Sequence, residues 1–210
     1  MGRRPQPQVK EELLDACADH ALAHGLPDRL GPFVTATGTS ARMLIYHFGT
    51  RDALLRAVLG RARQRQLDGF RDLLRPRPGE PYRDTLTRAW TAITGADGQP
   101  YLRMFGELRE STVEPLWPEL RRAATTDWLE PLEDGLRTLE RPELATLVLA
   151  VIRGLITDLH ATGDRDRTDR AFRQFLATLG DYPTGTERTR RSRSSAPSRS
   201  TGRTVAPVEA

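Results

Sequence analysis

The chain has 210 residues, 38% of them hydrophobic, with a formal net charge of +4 and a pI ≈ 9.8. That length suits one small domain joined to a larger one, and no unbroken apolar run of about 18 residues points to a membrane span. The single cysteine, Cys17, excludes an intramolecular disulfide and suits a reducing, cytoplasmic setting.

All but one of the 32 basic residues are arginine, Lys10 being the exception. A GC-rich coding bias explains most of that, although arginine's planar fork also suits phosphate and guanine. Residues 1–7 have no apolar period and read as a flexible arm. The basic start lacks an apolar stretch after it, so it does not read as a secretory signal. Arg3 and Arg4 there can enter a minor groove or simply lie in solvent. From about Gln8 to His24, Val9, Leu13, Ala16, Cys17 and Ala21 recur at helical spacing. His20 and His24 are four apart, but no third ligand accompanies them. They read as helix-surface histidines, and no metal or other cofactor is expected. Asp15/Asp19 and Glu130/Glu133/Asp134 read as solvated helix faces rather than acid–base pairs.

The central stretch is Thr35-Ala-Thr-Gly-Thr-Ser-Ala-Arg-Met-Leu-Ile-Tyr-His-Phe48. Gly38 accepts a positive φ and marks a tight turn. Thr39 or Ser40 can cap the following helix through a side-chain oxygen. Leu44 and Phe48 are four apart and face inward together, leaving Arg42, Met43, Tyr46 and His47 on the other sides. Two short helices around a glycine turn form a helix-turn-helix, whose second helix can lie in a major groove. Thr39, Ser40, Ala41, Arg42, Met43, Tyr46 and His47 are therefore the candidate DNA contacts. Arg42 is the expected base reader, because arginine bonds guanine O6 and N7 together, and Met43 can touch a thymine methyl.

From Gly38 to Leu55 the residues resemble the DNA-binding core of the tetracycline-repressor (TetR) family of regulators. The pattern matches at Gly38, Ser40, Leu44, His47, Phe48, Thr50, Arg51 and Leu54, and departs at Thr39, Met43 and Ile45. Ile45 stands where the family has a phosphate-touching tyrosine, and Tyr46 is expected to take that contact. Arg51 falls at the family's usual lysine and resembles a phosphate clamp. A later phrase, Gly163 to Leu176, is also similar to that family. The resemblance implies an all-α fold, with a helix-turn-helix domain (8–56) and a helical effector-binding and dimerisation domain (57–180). It also implies repression relieved by a small effector, with double-stranded operator DNA as the partner.

Beyond Thr50, which can cap a fourth helix, the chain reads as helices punctuated by proline and glycine. The fourth helix carries Leu54 to Leu74 and should run into the second domain. Trp90, Tyr101, Met104, Phe105, Trp117 and Trp128 gather in the middle helices. They either line an apolar ligand pocket or fill the core. A mostly apolar effector is expected on the first reading. Pro131 should kink or break the long helix around it. The helices at about 142–161 and 166–179 carry more apolar surface than one chain covers. Ile152, Leu155, Ile156, Leu159, Phe172, Phe175, Leu176 and Leu179 are the expected homodimer interface. Residues 181–210 are rich in Arg, Ser, Thr and Pro and are expected to be a disordered basic tail. No Gly-x-Ser-x-Gly, phosphate-cradling loop or dinucleotide fingerprint is present, so no catalytic residue is assigned. The alternatives are a DNA-binding dimer without effector control and a helical enzyme.

Overall fold

A computed structural model of the protein describes residues 6–110 and 120–181. Among them the chain forms nine α-helices and no strand. These are α1 (Gln6–His24), α2 (Gly31–Thr37), α3 (Ala41–Phe48), α4 (Arg51–Phe70), α5 (Tyr82–Thr94), α6 (Gln99–Glu110), α7 (Leu120–Arg137), α8 (Ala145–Thr162) and α9 (Arg165–Asp181). Short 3-10 turns at Asp72–Leu74 and Pro142–Leu144 follow α4 and precede α8. Arg3, Arg4, Trp117 and the tail beyond 181 lie outside the described residues.

α2 and α3 are short, and glycine and hydroxyl caps set their ends and the start of α4. Gly38 closes α2 with φ 63°, in the left-handed region that glycine enters without strain. Ser40 is extended, and its Oγ accepts the Met43 N–H at 3.2 Å to start α3. Gly49 ends α3, and Thr50 Oγ1 accepts the Ala53 N–H at 3.1 Å to start α4. Phe33, Leu44, Leu54, Val58 and Leu59 are fully buried beneath these turns, with Cys17, Ala18 and Ala21 of α1. Each large side chain so buried contributes roughly 1.5–3 kcal/mol, enough to hold helices too short to persist alone.

A second core holds Leu74, Tyr82, Leu86, Trp90, Leu132, Leu136, Val148, Ile152, Phe172 and Leu176, drawn mainly from α5, α7, α8 and α9. Trp90 stacks on Phe172 with centroids 4.7 Å apart, and its Nε1 donates to Asp169 Oδ1 at 2.6 Å. Tyr82 Oη donates to the Leu74 carbonyl at 2.9 Å, while its ring fills the space that a Cβ on Gly135 would need. α7 runs through Pro131 as one continuous helix, so of the expected kink or break the break does not occur. The residues after Pro131, Leu132 and Leu136, are fully buried and hold the second half of α7 in place despite the missing donor.

Two helices serve both cores. α4 contributes Leu54 to Ala62 to the first and leads through its 3-10 turn to Leu74 in the second. On α6, Leu102 belongs to the second core, while the next residues inward, Met104 and Phe105, pack with the first.

Of the acidic groups that read as solvated faces, Asp15, Asp19, Glu130 and Asp134 also pair with arginines of other segments. Arg61 of α4 pairs with Glu11 and with Asp15, the latter at 2.7 Å, and Arg65 bridges Asp15 at 2.7 Å and Asp19 at 2.6 Å on α1. On the other flank Arg63 meets Asp127 of α7 at 2.9 Å, and Arg71 meets Glu130 at 2.6 Å. Arg75 lies 3.3–3.4 Å from Glu130 and Asp134. Arginines of α4 and of the turn after it thus tie this segment to α1 and to α7, with Arg61, Arg63 and Arg65 alternating between the two along α4.

Candidate nucleic-acid interface

α3 is built with one face inward. Leu44 is fully buried and Phe48 nearly so, while Ser40, Ala41, Arg42, Met43 and Tyr46 are exposed. Only four large hydrophobic side chains stand out as exposed among the described residues, and two of them, Met43 at 41% and Tyr46 at 64%, are on this helix of eight residues. Arg42 has no ion pair among the described residues, so its five donors remain available.

The flanks are more constrained. His47 is half-buried, its ring 5.1 Å edge-on to that of Tyr46. Thr39 is half-buried as well. Arg51, at the first position of α4, donates to the Pro27 carbonyl at 3.3 Å and lies 3.4 Å from Asp52. Its side chain keeps 41% exposure, so the guanidinium is oriented by the α1–α2 connection yet still reaches solvent. Lys10 was not singled out by its sequence surroundings. Its Nζ sits 5.4 Å from the centroid of the Phe48 ring, which brings the only lysine to the end of α3. No periodicity signals that approach, because it joins residues 38 apart.

The residues expected to line an apolar pocket do not share one place. Trp90 and Trp128 belong with the second core, and Met104 and Phe105 with the first. Tyr101 packs edge-on against Phe70 at 5.7 Å. Trp128 lies under the Arg63 guanidinium, 5.0 Å from its centre. Among the described residues no group of three His, Cys, Asp or Glu side chains is placed to hold a metal ion. His20 packs against His24 and Phe33, with centroids 4.8 and 5.8 Å away.

Six of the eight side chains expected at a dimer interface are buried in their own chain: Ile152, Ile156, Leu159, Phe172, Leu176 and Leu179. Leu155 and Phe175 are half-buried. The outward face of α8 carries a different set, Leu147, Ala150, Val151 and Gly154. The stretch Pro142–Thr162 has a mean hydropathy of 1.6, long and apolar enough to cross a membrane by composition, and one third of that window (33%) is buried within this chain. It carries Arg153 and Asp158 and packs between α7 and α9. That arrangement is the one a core helix with a second, uncovered apolar side would have.

A long first helix, a glycine-turned pair of short helices and a second all-helical core sharing α4 define an all-α helix-turn-helix fold. The same fold is found in a transcriptional regulator from Rhodococcus sp. Rha1, at 21% identity and a TM-score of 0.62, over 81% of this chain and 95% of that one. It is also found in a Rhodococcus sp. protein assigned to the TetR-family transcriptional regulators, at 22% identity and a TM-score of 0.59, over 83% and 97%. No family model and no curated protein matches the chain.

Proposed function

We propose that this chain is a TetR-like, sequence-specific DNA-binding transcriptional regulator, acting as a homodimer on an inverted-repeat operator. The observation that carries this reading is the division of α3. Leu44 and Phe48 anchor it from below, while Arg42, Met43 and Tyr46 project from the opposite side without being needed by the core. An arginine beside an apolar group on the exposed side of the second helix of a helix-turn-helix is the chemistry that reads guanine and thymine edges in a major groove. Arg51 and Lys10, both near the C-terminal end of that helix, are suited to phosphates, which set register.

The dimer is proposed through the outward face of α8, with a second copy of this chain as the occupant. Leu147, Ala150, Val151 and Gly154 stand at i, i+3, i+4 and i+7, the pattern of one helix face, and a Cβ on Gly154 would meet nothing within 4 Å. Small residues there let two helices approach closely in an isologous contact. Control by a small molecule is part of the same proposal, with repression relieved on binding. The helices shared by both cores, α4 and α6, are suited to carry it. A mobility-shift titration on DNA from the protein's own promoter region tests the reading. Saturable, salt-sensitive binding that is weakened in Arg42→Ala supports it, and absence of any shift contradicts it.

A further inference from the structure

The start of α6, the end of α8 and the start of α9 border an open cleft of about 530 Å³, lined among the described residues by Gln99, Arg103, Leu159, His160, Gly163 and Arg165. That volume falls within the usual range of small-molecule sites, roughly 300–1,000 Å³. Its chemistry is one-sided. Two guanidinium groups and an imidazole face it, and no carboxylate lies among the described lining residues.

Arg165 is pre-oriented by neutral partners. Its Nη1 donates to Thr94 Oγ1 at 3.1 Å and its Nη2 to the Thr94 carbonyl, which also accepts Gln99 Nε2 at 3.1 Å. Thr94 is fully buried, so this anchor is rigid. A guanidinium fixed by hydroxyl and carbonyl oxygens keeps its whole charge and the rest of its five donors. Arg103 is exposed and has no ion pair among the described residues. His160 rests against α6, where a Cβ on Gly106 would lie 3.6 Å from its Nδ1.

We propose that this cleft binds a compact anion carrying two or more negative charges, held by Arg103 and Arg165. Arginine's fork pairs with carboxylate and phosphate oxygens bidentately, and Leu159 is the only apolar lining side chain among the described residues. The ligand is therefore a small polycarboxylate or a phosphorylated metabolite, not the apolar molecule expected from the aromatic residues. Arg103 precedes Met104 and Phe105, which pack into the helix-turn-helix core, so an anion drawing on Arg103 pulls a helix that both cores share. This last consequence rests on the regulatory reading above; the binding itself does not.

The test is calorimetric titration of the full-length protein, without DNA and at fixed ionic strength, with citrate, succinate and inorganic phosphate in turn. Saturable binding of at least one, with one site per chain, is expected. Arg103→Ala should weaken it about tenfold or more, the usual consequence of losing a charge-assisted pair. Arg103 is on the surface, so the variant should keep its helical circular dichroism, and Arg103→Lys should recover part of the affinity. Preference for citrate or succinate marks a carboxylate ligand, and preference for phosphate a phosphate ester. No saturable binding of any of the three at millimolar concentration overturns the proposal, as does binding that Arg103→Ala leaves unchanged. Either result leaves DNA binding standing, because no DNA is present. Loss of DNA binding in a separate experiment would leave the anion site standing.

Discussion

Arg63 of α4 and Asp127 of α7 meet at 2.9 Å where the two cores join, with the Arg63 side chain only 7% exposed. Burial pulls the guanidinium below its ordinary value, and the Asp127 bond and charge offset that in part. Arg63 Nη1 also donates to Gln66 Oε1 at 2.6 Å, and the plane lies over Trp128. Removing the carboxylate in Asp127→Ala leaves a buried charge without its counterion, which should cost about 3 kcal/mol, the low end for a broken buried pair. A denaturant melt measures this. A loss within about 0.5 kcal/mol, the usual effect of a surface change, would mean the pair contributes nothing to the junction.

Gly135 and Tyr82 make a second sharp prediction. The Tyr82 ring occupies the place of a Cβ at position 135, and its hydroxyl is tied to the Leu74 carbonyl. Gly135→Ala must displace a buried ring and should destabilise the protein by about 1–3 kcal/mol, as overpacking does. Tyr82→Phe keeps the ring and orphans one carbonyl, for a loss of about 1 kcal/mol. Thermal melts of the two variants should fall in that order.

Acid sensitivity should follow the α8–α9 turn. Arg167 donates to both oxygens of Asp158, at 2.6 and 2.8 Å, and holds that carboxyl below the ordinary carboxylate range. A carboxyl held down in the folded state stabilises fully above its unfolded value, about pH 4, and that stabilisation is lost as pH falls further. The melting temperature of the wild type should therefore drop between about pH 5 and pH 3 more than that of Asp158→Asn. Parallel curves would remove Asp158 from the account.

The dimer rests on a face that a single substitution can spoil. Leu147 is 39% exposed in one chain, so Leu147→Glu should leave the fold intact while placing like charges opposite each other across a two-fold axis. Light scattering at micromolar concentration should report a dimer for the wild type and a monomer for the variant. A monomeric wild type would contradict the proposed interface.

Much of the N-terminal domain was legible because its signals are local. Gly38 and Ser40 mark the turn and the cap, and the four-residue spacing of Leu44 and Phe48 sets which side of α3 faces in. The second core was less legible. α8 is apolar on more than one side, so its sequence shows that two sides are covered but not which belongs to its own chain. Ile152 and Ile156 turned inward, leaving Leu147 and Gly154 out. The ion pairs flanking α4 join residues about 50 apart, such as Arg65 and Asp15, and no periodicity marks which solvated-looking carboxylate will meet a partner. Likewise Met104 and Leu102 are two residues apart on α6 yet belong to different cores, which only the tertiary arrangement decides.

Arg42 and Arg51 should separate specificity from affinity. Arg42→Ala should cost about 1–3 kcal/mol and relax preference at one base position per half-site. Arg51→Ala should weaken binding to all sequences alike and lower the slope of log affinity against log salt by about 1. A uniform loss for Arg42→Ala would make it a phosphate contact instead.

Selection of bound DNA from a random pool tests the central claim most directly. A two-fold dimer presenting two copies of α3 should enrich an inverted repeat, with half-sites about one helical turn apart or a small multiple of that. The pool selected by Arg42→Ala should lose one defined position in each half. Enrichment of no sequence by the wild-type protein, under salt conditions where it is folded and dimeric, would contradict the assignment of α3 as a reader of DNA.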